Sequence, residues 1–193
     1  METAIQAEPS RALRAEDALT AAQFAAATQD VATQLRMVDI AVEANPAYLS
    51  ARQAAAAAHD EAGNSAQAIP HYLWLWDANP SDLKIASRLG ALYAQLSRHS
   101  DAAAVFGRIL ERDPDNVQAA LGRIDALVAL NRMDEAERVV LTLKKKYPTN
   151  PMVLYRWADF LEQAGRPDEA ERAREAAQGE LPGVKRRKMR KLR

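Results

Sequence analysis

The residues with chemistry to offer are few and scattered. Three histidines, His59, His71 and His99, supply the imidazoles that could ligate a transition metal or carry a proton. Cysteine is absent, which removes thiolate nucleophiles, thiolate metal sites and disulfides together. The histidines stand in different stretches without ligand spacing, so each reads as a structural or surface residue, and neither a metal nor a cofactor is expected. There is no glycine-rich loop to wrap a phosphate. Acidic pairs such as Asp134-Glu135 and Asp168-Glu169 fall near expected helix starts, where a negative side chain suits the amide dipoles, which accounts for them without catalysis. The chain is therefore read as non-enzymatic. Its cations say more: Lys84 and Arg88 lie one helical turn apart, and a dense basic run closes the sequence.

That run, residues 185–193, contains Lys185, Arg186, Arg187, Lys188, Arg190, Lys191 and Arg193 and no acidic residue. The whole chain balances 26 Lys and Arg against 26 Asp and Glu. Without the tail, 19 basic groups face 26 acidic ones, so the body carries a formal charge of minus seven. Seven cations in nine residues repel one another, and the tail is expected to be disordered unless an anionic surface collects it. Three readings stay open: a solubilising tail that folds back on the acidic body, nonspecific nucleic-acid or ribosome binding, and attachment to an anionic membrane surface. The tail has no aromatic residue to stack on a base.

The elements that would position these groups follow from a strict period. Pro46, Pro80, Pro114, Pro148 and Pro182 stand 34 residues apart, and twelve residues before each come Gln34, Ala68, Ala102, Ala136 and Ala170. A small side chain in four of five copies marks where two helices would cross. Gly90, Tyr93, Ala102, Phe106 and Pro114 fix the pattern of the clearest unit, residues 83–116, as two short helices in a hairpin. Five such units would cover residues 15–48, 49–82, 83–116, 117–150 and 151–184, after an N-terminal extension of residues 1–14 that continues the first helix or frays. Asp82, Asn116 and Asn150, also on the 34-residue step, suit the N-caps of successive first helices. In the first unit Phe24, Leu35, Val38, Ala41 and Val42 recur at helical spacing as its apolar stripe, and Gln34 makes it an atypical end. Pro70, six residues into the second helix of its unit, predicts a kink or a late start. Nearby Trp74 reads either as a cover over an alanine-lined core or as an exposed contact on the outer face. The last unit buries only alanines along its second helix, with Arg174 at an otherwise aromatic position, as an end cap does.

This pattern resembles the tetratricopeptide repeat family over residues 15–184, most closely in the last three units. The resemblance implies an all-α, right-handed superhelical solenoid of antiparallel helix pairs whose first helices line a concave groove. It implies that this groove holds an extended peptide or helix of a partner protein, with Gln53, Lys84, Ser87, Arg88, Leu121, Asp125, Met152, Tyr155, Arg156 and Asp159 as the groove positions. Lys84, Arg88 and Arg156 would make a basic strip there. The carboxylate clamp that some relatives use for chaperone tails is rejected: Lys84 and Arg88 match it, but Leu19 and Gln23 stand where it needs lysine and asparagine, and Ala54 where it needs asparagine.

The composition fits a soluble body, with 48% hydrophobic and 27% charged residues, and Glu2, Glu8, Arg11 and Arg14 interrupt any signal-peptide core. A cytoplasmic adaptor or scaffold, bacterial and of an assembly or chaperone type, is the leading expectation. The alternatives are a nucleic-acid- or ribosome-associated factor working through the tail, and a chaperone of secreted substrates; self-association through Trp74 is a further option. The period itself is open to test. Ala102→Leu is expected to overpack a helix crossing and to cost about 1–3 kcal/mol in thermal unfolding, whereas substituting Pro114 costs much less. A neutral Ala102→Leu would overturn the register.

Overall fold

A computed structural model describes residues 2–179, with side chains from residue 12 onward. Ten α-helices account for its regular structure among the described residues: α1 (Glu2–Ala27), α2 (Val31–Ala44), α3 (Leu49–Glu61), α4 (Ser65–Ala78), α5 (Leu83–Gln95), α6 (His99–Arg112), α7 (Val117–Ala129), α8 (Met133–Lys146), α9 (Pro151–Gln163) and α10 (Pro167–Ala177). The starts of α3, α5, α7 and α9 are 34 residues apart, and so are those of α2, α4, α6, α8 and α10. The chain has the all-α architecture of helical hairpins that the period predicts. Its first helix is longer than the repeat requires, because residues 2–14 continue α1 without a break. The basic run at residues 185–193 lies outside the described residues.

Two compact units divide at the turn between α5 and α6: Met1–Ser97 and Arg98–Arg193. Within the first, each helix packs on the next, and α1 also reaches α3. Its core is thin and rich in alanine, with Ala18, Ala22, Ala41, Ala51, Ala55 and Ala58 beside Leu19, Val38 and Val42. Within the second unit α6 to α10 pack in the same serial way, with α7 also touching α9. Here the core carries bulk: Phe106, Ile109, Ile124, Leu127, Val140, Trp157, Phe160 and Leu161 are all buried. Trp157 stacks on Phe160 at 5.6 Å, while Lys144 and Arg166 sit over its ring at 4.9 and 5.7 Å.

Local chemistry sets the helix ends. Asp82 accepts from the amides of Lys84 and Ile85 at 3.0 and 3.2 Å, Asn116 from Ala119 at 3.0 Å, and Asn150 from Met152 and Val153 at 3.0 and 3.4 Å. These are the three caps expected from the sequence. The turns inside the hairpins follow the same period: Gln29, Gly63, Ser97, Asn131 and Gly165 all take positive φ, between 56° and 75°. At four of them the next amide bonds back five residues, as Asn64 does to the carbonyl of His59 at 2.8 Å and Arg166 to that of Leu161 at 2.8 Å. That is the left-handed helix stop, which glycine enters without steric cost. After the turn, Arg98 pairs with Asp101, Arg132 with Glu135 and Arg166 with Glu169, at 2.8, 2.6 and 2.7 Å. Each arginine thus closes over the acidic first turn of its own helix.

Three side chains depart from the sequence reading. Phe24 is 72% exposed and does not belong to the apolar stripe, because the buried face of α1 runs through Ala15, Ala18, Leu19, Ala22 and Ala25 and leaves Phe24 off it. Pro70 neither delays nor interrupts α4, which runs unbroken from Ser65. Pro70 and Ala66 are both exposed, so water can satisfy the carbonyl that loses its donor. Leu121, expected on the groove, is only 5% exposed and belongs to the core with Ala120, Ile124 and Leu127.

A polar lock joins α3, α4 and α5. Asp60 receives both the Nε and an Nη group of Arg88 and the phenol of Tyr72, the latter at 3.0 Å. Arg88 holds the Asp60 carboxyl below its ordinary range, and burial followed by the bond to Asp60 pushes Tyr72 up to about 12. The stability these groups contribute is present between the two limits. It is lost as pH falls from the ordinary carboxylate value through the depressed range of Asp60, and as pH rises from the ordinary tyrosine value of about 10 toward Tyr72's own. Urea unfolding against pH should show both limbs, with Asp60→Asn flattening the acid one and Tyr72→Phe the alkaline one.

Two glycines offer a second test. A Cβ at Gly122 would lie 2.6 Å from the Phe106 ring, so Gly122→Ala is expected to destabilise by about 1–3 kcal/mol although alanine is the better helix former. Gly165 has nothing within 4 Å, so Gly165→Ala should cost only the left-handed strain, about 1–2 kcal/mol. Equal melting of Gly122→Ala and the parent would refute the close approach.

Candidate functional site

In the first unit the expected groove residues lie on α3 and α5. Gln53 and Lys84 are exposed, and the Ser87 hydroxyl donates to the carbonyl of Leu83 at 2.7 Å. Arg88 is not a spare cation, since Asp60 takes it with two parallel bonds. An anion seeking Arg88 must displace a carboxylate already in bidentate contact, which is the stronger class of hydrogen bond. Only Lys84 of that pair has no ion-pair partner among the described residues.

In the second unit α7 and α9 bring three of the expected residues together. Arg156 Nη1 lies 2.9 Å from Asp125 Oδ1 and 3.8 Å from Asp159 Oδ2. Arg174 of α10 extends the row, 3.8 Å from Asp159 and bonded to Glu162. An arginine at the aromatic position of the last helix therefore crosses to α9 by ion pairing. Partial burial raises the Asp125 carboxyl, with Arg156 opposing and Asp159 adding to the shift. Beside this row opens a cleft of about 240 Å³ lined by Ile124, Asp125, Val128, Ala129, Arg156, Asp159, Phe160 and Gln163. Met152 and Tyr155 stand out from α9 at 50% and 41% exposure. Of the expected basic strip, Arg88 and Arg156 are thus already paired with carboxylates, and Lys84 is the member without an ion-pair partner among the described residues.

The sequence reading missed a polar array in the first unit. His59 Nε2 lies 2.9 Å from Asp39 Oδ1, and the His59 and His71 rings stack at 5.9 Å with planes 6° apart. Arg52 Nη1 is 3.3 Å from His71 Nδ1, its Nε donates to the Pro46 carbonyl at 2.9 Å, and its guanidinium lies 5.4 Å over Trp74. Trp74 is half-buried, and it is Trp76, 5% exposed, that enters the core. His59 and His71 lack ligand spacing along the chain and stand unequally about the turn at Gly63, four residues before it and eight after, so no sequence signal pointed to their meeting. Asp39, His59 and His71 are the group among the described residues that could hold a cation. No helix among the described residues is long and apolar enough to cross a membrane.

Comparison with known proteins bears on the whole. Among solved structures, MamA of MSR-1 aligns over 88% of this chain and 95% of its own at 19% identity, with a TM-score of 0.64. Another MamA structure reaches a TM-score of 0.71 at 12% identity, over 86% of this chain and 91% of that one. A tetratricopeptide repeat protein from Parabacteroides merdae aligns at 19% identity and a TM-score of 0.58, covering 88% and 80%. At such identities these similarities speak for the fold alone. No curated protein matches. Two models of the tetratricopeptide repeat match residues 54–116 and 93–154, together just over half of the sequence. With the 34-residue helix register, they show that the chain belongs to the tetratricopeptide repeat family.

Proposed function

We propose that the chain is a non-enzymatic adaptor that holds a peptide or helix of a partner protein, in a cytoplasmic assembly or chaperone-type role. The observation that carries this reading is the exposed face of α9. Met152 and Tyr155 offer adaptable and aromatic contact area beside a cleft whose charges are already paired. Such a surface favours a partner that brings apolar anchors and a polar margin over a simple anion, because the cations are neutralised from within. Exposed aromatic and methionine side chains on a rigid helix suit reversible recognition.

The decisive experiment is a quantitative pull-down from nuclease-treated native lysate. It compares the intact chain, a chain ending at Gly183, and a Met152→Ala, Tyr155→Ala double variant. A protein partner is expected to stay with the truncated chain and to fall about tenfold or more on the double variant, whose melting should match the parent because both side chains are exposed. Retention by the double variant at parental strength would refute the α9 face. Loss of all bound material on truncation or with nuclease would transfer the function to the basic run and its nucleic-acid reading.

A further inference from the structure

Asp39 of α2, His59 of α3 and His71 of α4 come from three successive helices, and one donor atom of each lies within 4.8 Å of the other two. Two imidazoles and a carboxylate are the donors that hold borderline divalent metals while leaving a coordination position to water. We propose that Asp39, His59 and His71 form a binding site for a divalent transition metal of the zinc class, tying α2, α3 and α4 together. The site is separate from the α9 face and does not rest on the adaptor reading.

The state of His59 is the first support. This residue is 5% exposed, and its Nε2 faces the Asp39 carboxylate, which can only accept. A cation at the centre of the group takes the place of the proton between His59 Nε2 and Asp39 Oδ1, so the ring edge that already faces the carboxylate is the one that ligates. His71 adds a second imidazole from the next helix, its ring 5.9 Å from that of His59. The two rings lie nearly parallel, so one of them must turn about its side-chain bonds for both nitrogens to point at one centre. Ligands of a tetrahedral zinc stand about 3.3 Å apart, so binding draws the group inward. The Asp39 side chain is 48% exposed and has room to turn, and its open side admits water.

Arg52 is the counterweight. Its Nη1 reaches His71 Nδ1 at 3.3 Å and sets a positive charge beside the site. It is also held by the Pro46 carbonyl and by its stack over Trp74, so it can release His71 without leaving its seat. Metal and arginine thus compete for one imidazole.

The full-length chain is titrated at neutral pH with Zn²⁺ by calorimetry and with Co²⁺ by visible absorption. The expected result is one metal per chain, a cobalt spectrum with nitrogen ligation, and a thermal midpoint that rises by several degrees with zinc. His71→Ala and Asp39→Asn should weaken binding by about tenfold or more, as loss of metal-site groups does, whereas His99→Ala leaves it unchanged and Arg52→Gln tightens it. Absence of saturable binding by the parent overturns the proposal, as does binding that His71→Ala and Asp39→Asn leave at parental strength. A parent cobalt spectrum without nitrogen ligation overturns it too, whether or not the variants fold.

Discussion

Everything in this chain depends on how closely two helices can approach where they cross. Ala68, Ala102, Ala136 and Ala170 are fully buried at the same point of four successive hairpins. A methyl group at that point keeps the helix axes near the lower end of their usual separation, and the rest of each interface is built to that spacing. The matching position on the first helices is also small in most copies, with Ala22, Ala56, Gly90 and Ala158 all buried. The fourth copy shows what happens when it is not. Ile124 takes the position at 1% exposure, and two residues earlier Gly122 gives the Phe106 ring the room that a side chain would have denied it. Volume is conserved across the interface although the individual positions are not.

The second constraint is the turn. Five residues in register take a left-handed backbone, only two of them glycine, so Gln29, Ser97 and Asn131 hold a conformation that L side chains enter at a cost. That cost is offset by the backbone bonds of the helix stop and by the arginine that closes over the next helix start at 98, 132 and 166. Each hairpin is thus specified locally, and its neighbours need only supply apolar area. The two units supply it differently. The first uses many alanines and compensates with buried polar bonds, those of Asp60 and of His59; the second uses large aromatic and aliphatic groups and keeps its ion pairs at the margin.

Charge follows the same logic of internal satisfaction. Arg88, Arg156, Arg166 and Arg174 each meet carboxylates of neighbouring helices. In a repeat protein such bonds link one element to the next, and they remove the free cations that a linear reading of Lys84, Arg88 and Arg156 suggests. Among the expected groove positions, Met152, Tyr155 and Lys84 stay exposed without such a bond among the described residues.

The amino-acid sequence alone determined whatever depends on local chemistry or strict periodicity. The 34-residue step located the helix starts, the side-chain oxygens of Asp82, Asn116 and Asn150 announced the caps, and the small residues at 68, 102, 136 and 170 marked the crossings. Each of these is decided within a few residues of the position concerned. The tertiary structure alone decided matters that depend on helix rotation and on partners far apart in the chain. Phe24 and Leu121 exchanged the roles that their residue types suggested, because a helix face is set by its neighbours and one residue of register turns a side chain by about 100°. The pairing of Asp60 with Arg88, 28 residues away, and the meeting of Asp39, His59 and His71 have no periodic trace, since they arise only when antiparallel helices lie side by side. Local rules wrote the repeat; contact between helices chose which of its polar groups are free to act.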